Sequence, residues 1–357
     1  MNMNQRNEKI SNSDLLFAIA AIIFMLMYGF AILYYPHSFL QFQTFFDLFS
    51  LNAPLIILTL GLSIVMIGGG IDISVGAVTG LVTMCCAVFL ESGRGSVGGS
   101  MLLALAIGLA FGLLQGFLIA YLEIQPFIIT LAGMYLANGL LTTIHKDPLN
   151  VRMPDFVHLR DFEIVIPWLG NSNRLGNFIP LAIKPGAVVA LVLIILLAIL
   201  MHWSRFGRNL YAVGGNNQSA VMLGINVKRT KFYSYVLCGL LSGIAGFVFL
   251  MTTGAGNVGN ASGFEMKAIA GSIIGGMMLS GGVGNLIGSP IGALTLLTIN
   301  ELIRAAGVNS NFQSIASGIL LCIFIVLQNV VLWLRAKSSF KLALPSWLMP
   351  SKKTGRA

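Results

Sequence analysis

The sequence predicts an all-α fold, a polytopic membrane helix bundle of about ten transmembrane helices. The 357-residue chain is 56% apolar and only 9% charged, and its mean hydropathy is +0.87. Soluble proteins have roughly 25% charged residues. Ten membrane helices of about 20 residues each would use ~200 residues, which matches the apolar content. This composition excludes an intrinsically disordered chain, a collagen-like chain and a disulfide-rich scaffold.

The apolar residues are grouped into ten runs, which are the predicted membrane helices. They form a single predicted transmembrane domain over residues 1–340, followed by a basic tail over 341–357. Glycines interrupt the pattern near 68–72 and 281–284, so the boundaries are least defined there. The runs cover residues 15–34, 53–70, 73–90, 101–121, 126–145, 186–203, 232–252, 266–282, 286–307 and 312–334.

The basic residues predict the orientation of these runs. Positively charged loops stay on the cytoplasmic side of a membrane. Segment 204–231 carries five basic residues and no acidic ones, and both terminal segments are basic. With ten spans, both termini and segment 204–231 fall on the cytoplasmic side, and the mixed-charge segment 146–185 falls outside.

Glycine recurs at every fourth position in several runs. Residues four apart share one face of a helix, and glycine there lets a second helix approach closely. We therefore expect tightly packed helix pairs at these faces. The sets are Gly108, Gly112 and Gly116; Gly239 and Gly243; Gly271 and Gly275; and Gly284, Gly288 and Gly292.

The most unusual stretch is Gly-Gly-Gly-Ile-Asp-Ile-Ser at 68–74, where glycines and a carboxylate interrupt an apolar run. An acid among membrane spans is costly, and broken helices in transporters line cavities. Asp72 can equally cap the following helix by accepting hydrogen bonds from its first amides. Both interpretations are open, and they can hold together. The predicted translocation-pathway or gating residues are Gly69, Gly70, Asp72, Ser74, Thr130, Asn138 and Glu265.

Thr130 and Asn138 are uncharged polar residues inside apolar runs. They suit a neutral polyhydroxylated solute and equally suit hydrogen bonds between helices. Glu265 begins a run after the Gly/Asn/Ser-rich segment 254–263, where an acid in the first helical turn is favourable to the helix dipole. The sequence has no Ser/His/Asp set, no carboxylate pair and no Walker sequence, and its four cysteines lie inside apolar runs. The chain is therefore predicted not to be an enzyme.

Segment 204–231 carries a second candidate site. Gly214-Gly215 is a turn signal, Asn216 or Asn217 can cap a helix, and Gly224 can end it. A short helix is predicted over 219–223, with Ala220 and Leu223 on one face. Either a docking knob for a soluble partner or a surface turn with positive-inside charges accounts for this segment.

Four stretches of the sequence resemble one family. They are GGGIDISVGAVTG at 68–80, QPFIITLAGMYLANGL at 125–140, YAVGGNNQSAVMLGINV at 211–227 and LSGGVGNLIGSPIGAL at 279–294. These stretches resemble the permease subunits of bacterial ribose/galactose-type ABC sugar importers. Among those permeases, they most resemble the galactofuranose-type members.

This resemblance implies a type II ABC importer-like fold and a set of partners. Two permease subunits, identical or paralogous, would surround one pathway. ATPase subunits would bind ATP and Mg, so this chain would hold no cofactor itself. A periplasmic or lipid-anchored sugar-binding protein would dock on residues 146–185. The implied ATPase-coupling residues are Gly214, Gly215, Asn216, Ala220, Gly224 and Ile225.

The implied function is monosaccharide import across the bacterial inner membrane by alternating access, driven by ATP hydrolysis in a partner subunit. Membrane lipid is a further partner, whereas the spread of basic residues over several loops argues against nucleic acid. The alternative is a cation-coupled secondary transporter that uses Asp72 or Glu265 as its coupling acid. A non-transporting receptor or scaffold is a third class, and the glycine-broken spans argue against it.

Overall fold

The computed structural model describes residues 12–93, 95–172, 178–308, 312–313, 315–319, 321–327 and 330. The predicted all-α bundle is confirmed, with only short strands added to it. The helices are α1 (Asn12–Tyr34), α2 (Pro36–Phe39), α3 (Phe42–Leu51), α4 (Ala53–Ile67), α5 (Val75–Glu91), α6 (Val97–Ala120), α7 (Pro126–Ile144), α8 (Pro154–Asp161), α9 (Pro185–Trp203), α10 (Arg205–Gly215), α11 (Asn217–Met222), α12 (Val227–Thr253), α13 (Phe264–Ile274) and α14 (Gly288–Ala305). The strands β1 (Leu149–Asn150), β2 (Ile164–Ser172), β3 (Phe178–Ile183) and β4 (Ala255–Gly256) form two antiparallel pairs, β1 with β4 and β2 with β3.

The helices follow the apolar runs, but glycine shortens several of them. Among the described residues, five helices are long and apolar enough to cross a membrane, or six if α3 and α4, bent by 59°, form one span. The run 266–282 is helical only to Ile274, because Gly275 caps the helix and Gly276 has a left-handed φ of +94°. The last run lies partly outside the described residues and includes the helix Ile315–Leu327. The count of ten spans remains a prediction.

Helix α4 is the centre of the bundle. All fifteen of its residues are buried, which is typical of a helix surrounded on every side. It packs against α9, α12, α13 and α14. Because α4 carries no charge and packs against four neighbouring helices, its position is fixed. The position of residues 68–74, which follow its C-terminal end, is therefore fixed as well.

The four-residue spacing predicted that a second helix approaches each glycine face, and in the structure the faces of α6 and α12 meet each other. Gly108 and Gly112 of α6 pack against Gly239 and Gly243 of α12. A Cβ added at Gly239 would lie only 2.6 Å from the Cα of Gly112, so neither helix has room for a side chain there. This close approach makes α6 and α12 one rigid pair.

A second glycine contact joins α13 to α14. A Cβ added at Gly292 would lie 2.8 Å from the Cα of Gly275. A Cβ added at Gly271 would lie 3.2 Å from the Cα of Ala293. Gly288 packs on Gly275 as well. The two helices therefore form a hairpin whose arms touch through backbone atoms.

The described parts of segment 146–185, residues 146–172 and 178–185, form a layer at the end of α9 opposite α11. Phe156 of α8 is fully buried and meets Phe247 of α12 edge to face, with ring centroids 6.5 Å apart. The Gln43 side chain of α3 donates a hydrogen bond to the Ala182 carbonyl and accepts one from the Ala182 amide, both 3.0 Å long. The β2–β3 hairpin is thereby attached to α3.

Candidate functional site: a glycine break beneath a short exposed helix

The break between α4 and α5 has a defined backbone conformation. Gly68 caps α4, and Gly69 follows in the left-handed region with a φ of +77°. The amides of Gly69 and Gly70 donate to the carbonyls of Met66 and Val65 at 2.9 and 3.1 Å. Glycine is the residue that adopts this conformation without strain, so it ends α4 sharply.

Asp72 lies inside the protein, directly after this break. Its side chain is 2% exposed, and Oδ1 accepts hydrogen bonds from the Ser74 amide at 2.9 Å and the Ser74 hydroxyl at 2.7 Å. Cys238 of α12 lies beside it. Of the two interpretations left open for Asp72, direct capping of α5 is not observed, because α5 starts at Val75 and its N-cap residue is Ser74. Asp72 instead holds the N-cap residue in place.

Ser74 connects the break to two further helices. The Gln115 amide nitrogen of α6 donates to the Ser74 hydroxyl at 2.9 Å. The Gln115 side chain also lies against Gly133 of α7. Thr130, one turn earlier on α7, is buried, but its hydroxyl donates to the Pro126 carbonyl of its own helix. Polar contacts thus join the break to α6, and close packing joins it to α7.

Glu265 reaches the same region from α13. The predicted outer segment 254–263 runs antiparallel beside α5, so that Gly256 lies near Met84 and Asn260 lies near Gly80. Glu265 follows in the first turn of α13, as predicted, and its carboxylate lies against Gly76 in the first turn of α5. A carboxylate beside two helix N-termini is favoured by both dipoles.

Asn138 does not join this group. Helix α7 buries only Thr130, Gly133, Ala137 and Leu141, and Asn138 lies on its exposed face. Of the predicted pathway residues, the structure therefore brings together Ser74, Asp72 and Glu265 around the start of α5. Gly70 packs beside Tyr235 of α12, whose hydroxyl donates to the Ile71 carbonyl at 3.2 Å.

The segment after α10 forms the predicted short helix, with corrected boundaries. Gly214 and Gly215 are not a turn but the last residues of α10. Asn216 is the N-cap of α11, and its side-chain oxygen accepts from the Ser219 amide at 2.9 Å. Gly224, with a φ of +76°, follows the helix as predicted.

The predicted face of this helix is wrong. Ala220 is 1% exposed, whereas Leu223 is 76% exposed. Leu223 lies after the last helical residue, where helical spacing no longer places it beside Ala220. The Ile225 amide donates to the Ala220 carbonyl at 3.1 Å and closes the turn beneath it. Ala220 and Ile225 hold α11 to the rest of the chain and do not form its free surface.

The free surface of α11 consists of three consecutive apolar residues, which were not predicted as a group from the sequence. Val221, Met222 and Leu223 are 61, 87 and 76% exposed. Their signal was an apolar triplet between polar residues and a glycine. Adjacent exposed apolar side chains at the tip of a polar segment mark a surface that a partner covers.

Backbone contacts connect α10 to both glycine breaks. Gly214 packs against the Ile67 carbonyl at the end of α4, and a Cβ there would lie 2.6 Å from the Gly282 nitrogen. The Gly282 amide donates to the same Ile67 carbonyl at 2.9 Å. Gly281 in turn packs on Gly69. We call these four glycines, Gly69, Gly214, Gly281 and Gly282, the glycine node.

Tyr211 strengthens the attachment of α10 to this region. Its hydroxyl donates to the Gly284 carbonyl at 2.9 Å. Burial raises the pKa of the Tyr211 phenol to about 12, so it remains a neutral donor at physiological pH. Tyr211, Gly281 and Gly282 were not assigned a role from sequence, although the local likeness of GGGIDISVG and GGVGNLIG was visible.

One exposed ion pair lies near α11. Lys228 in the first turn of α12 meets Glu123, in the α6–α7 connection, at 2.8 Å. The hydrogen bond and charge of Lys228 lower the pKa of the Glu123 carboxyl. Glu123 has a left-handed φ of +57°, which is uncommon for a residue other than glycine. This pair links the α6–α7 connection to the helix that follows α11.

Apolar helices interrupted by glycine breaks, with a short exposed helix attached to those breaks, fit a membrane transport protein. Residues 44–327 match the family described as the permease component of the branched-chain amino acid transport system, and the chain belongs to that family. Its members are transporter subunits and not enzymes. The prediction that this chain is not an enzyme is therefore confirmed.

Relatives support the narrower resemblance. The chain is 36% identical to the inner membrane ABC transporter permease protein YjfF of Escherichia coli, covering 89% of this chain and 93% of the relative. It is 32% identical to the fructose import permease protein FruG of Bifidobacterium longum, over 88 and 90%. It is 30% identical to the ribose import permease protein RbsC of Escherichia coli, over 82 and 87%. No solved structure matches the chain. The resemblance to sugar ABC permeases is confirmed.

Proposed function

We propose that this chain is the membrane subunit of an ATP-driven importer that carries a monosaccharide across the bacterial inner membrane by alternating access. The names of the relatives, which include fructose and ribose import permeases, support a sugar as the solute. The observation that carries the proposal is the connection from the exposed tip of α11, through α10, to the glycine node.

The mechanism follows from that connection. A partner ATPase covers Val221, Met222 and Leu223 and binds ATP and Mg, so this chain contributes no nucleotide site. When the ATPase closes, α11 moves with it, and α10 transmits the movement through backbone contacts at Gly214. These contacts reach the end of α4 at Ile67 and the middle of segment 276–287 at Gly282. Packed backbone cannot deform gradually, so the two breaks shift together.

The remaining assembly is proposed on the same basis. Both termini and α10–α11 lie in the cytoplasm, and segment 146–185 faces a periplasmic or lipid-anchored sugar-binding protein. A second permease subunit, identical or paralogous, completes the pathway. Asn138 on the exposed face of α7 then meets that subunit or the solute, because an amide in a span is unfavourable against lipid.

Reconstitution tests the proposal. Proteoliposomes would contain the chain alone, or the chain with co-expressed ATPase and binding protein, and uptake of radiolabelled monosaccharides would be measured. Uptake only in the complete system supplied with Mg-ATP supports the proposal. Uptake by the chain alone, abolished by an ionophore, contradicts it and favours a cation-coupled carrier using Asp72 or Glu265.

A further inference from the structure

A polar pocket lies at the end of the bundle opposite α11. It has a volume of about 430 Å³ and is formed by the end of α3, the α8–β2 connection, the start of α9 and the end of α12. Small-molecule sites have volumes of roughly 300–1,000 Å³, so this pocket is large enough for one monosaccharide. In the proposed orientation it faces outward, where solute is delivered.

The charged residues of the pocket balance one another. Arg160 and Lys184 are positive, and Asp161 and Glu163 are negative. Arg160 donates to both carboxylate oxygens of Asp161, at 2.7 and 3.0 Å. The hydrogen bond from Arg160 lowers the pKa of Asp161, and the charge of Lys184 lowers it further, so these groups lie close together in their charged forms.

This balance limits the chemistry of the ligand. Two positive and two negative side chains give the pocket no net charge, so it offers no net attraction to either an anion or a cation. A neutral ligand with many hydroxyl groups can donate to the carboxylates and accept from the cations at once. Hydrogen bonds to charged groups are about twice as strong as neutral ones.

Ser50 supplies an independent observation. It lines the same pocket and is 4% exposed, and its hydroxyl has no hydrogen-bond partner among the described residues. Among the described residues, the only other buried side-chain nitrogen or oxygen atom without a hydrogen-bond partner is Asn300 Oδ1. An unpaired buried hydroxyl is unfavourable, so native proteins usually pair it. A hydroxyl of a bound ligand would be such a partner.

We infer that this pocket is an entry site where the permease itself binds a neutral monosaccharide through Ser50, Arg160, Asp161, Glu163 and Lys184. The inference rests on the proposed function. It adds that the sugar pauses on the membrane subunit after the binding protein releases it. The pocket lies between the outer segment and the ends of α9 and α12, so an occupied site would contact both layers.

Direct binding tests this inference. The permease–ATPase complex, in nanodiscs without the binding protein, would be titrated with tritiated D-ribose, D-fructose and D-galactose. Wild type should bind at least one of these sugars. The Kd for that sugar should rise at least tenfold in each of the variants Ser50→Ala, Arg160→Gln and Lys184→Gln. Lys146→Gln is the matched control, since Lys146 is the first residue of the same outer segment but does not line the pocket. Thermal unfolding of each variant checks its folding.

Transport and docking distinguish the outcomes. The pocket variants should raise the KM for uptake and leave basal ATP hydrolysis unchanged. Ser50→Ala, which lies in α3 outside the proposed docking segment 146–185, should also leave docking of the sugar-free binding protein unchanged. No sugar binding by wild type, or binding unaffected by all three variants, overturns the entry site. Weaker docking of the sugar-free binding protein in Ser50→Ala also overturns it and makes the pocket a docking surface. Failure of the proposed function is separate, because the complete wild-type system would then show no ATP-dependent uptake.

Discussion

Replacing Gly214 by alanine tests whether the glycine node couples α11 to the breaks. The new Cβ would overlap the Ile67 carbonyl oxygen and lie 2.6 Å from the Gly282 nitrogen and 2.9 Å from the Ile67 carbonyl carbon. All three neighbours are backbone atoms, so no side chain can rotate away. At Gly215, the next residue, a Cβ would meet nothing within 4 Å. Gly215→Ala is therefore a control for the added methyl group.

The magnitude follows from two opposing effects. Overpacking a well-packed interior typically costs about 1–3 kcal/mol, and backbone neighbours place Gly214→Ala near the upper end. Alanine in a helix gains up to about 1 kcal/mol over glycine. The net cost of about 2 kcal/mol corresponds to about a 30-fold change in the equilibrium between this packed state and alternatives.

Uptake and thermal unfolding of the complete complex measure this effect. Gly214→Ala should insert into the membrane but lose most ATP-driven uptake, and its unfolding temperature should fall. Gly215→Ala should match wild type in uptake and be at least as stable. Wild-type uptake and stability in Gly214→Ala would refute the reasoning, because the node would then tolerate a methyl group.

Substitutions at three further positions, Gly112, Asp72 and Tyr211, probe the packing and the break. Gly112→Ala places a Cβ 2.8 Å from the Tyr235 carbonyl oxygen, so the unfolding temperature of this variant should fall. Gly139→Ala is its control, because a Cβ there meets nothing within 4 Å. Equal unfolding temperatures would contradict the close packing of α6 against α12. Asp72→Ala removes two buried hydrogen bonds and should cost about 1–3 kcal/mol, whereas Asp72→Asn keeps an acceptor and should retain stability and most uptake. A large uptake defect in stable Asp72→Asn would assign its charge to transport. Tyr211→Phe loses the 2.9 Å bond to Gly284 and should cost about 1 kcal/mol and lower uptake; unchanged uptake removes Tyr211 from coupling.

The sequence predicted the glycine faces but not their pairing. A four-residue spacing identifies one side of a helix, and the sets on α6, α12 and α13, with Gly288 and Gly292 of α14, proved to be contact faces. Gly284 was wrongly grouped with that last set, because α14 begins at Gly288 and Gly284 precedes it with a φ of +143°. Which set meets which depends on the order of helices in the bundle, and spacing along one helix does not contain that information. Local rules also failed at Gly214-Gly215, because tight packing keeps α10 helical through a pair that usually forms a turn.

The candidate site was predicted in part, and the missing part has a physical cause. Asp72, Ser74 and Glu265 were expected near a pathway, and the structure gathers them around the start of α5. Segment 254–263, which brings Glu265 there, has no hydrophobic periodicity from which its path beside α5 could be read. Asn138 was grouped with them because a polar residue inside a span signals function. Polarity alone does not specify on which face of α7 Asn138 lies.

The central claim is that a partner ATPase drives this permease through the exposed tip of α11, and Met222 tests it most directly. Met222 is 87% exposed, so its substitution should not disturb the fold. ATP hydrolysis and sugar uptake would be measured in the same proteoliposomes for wild type, Met222→Leu and Met222→Asp. Met222→Leu should preserve both ATP hydrolysis and sugar uptake. In Met222→Asp, the partner ATPase would bury the charge of the aspartate, so uptake should be abolished and ATP hydrolysis should no longer be coupled to uptake. Wild-type uptake with normal ATP consumption in Met222→Asp would contradict the account.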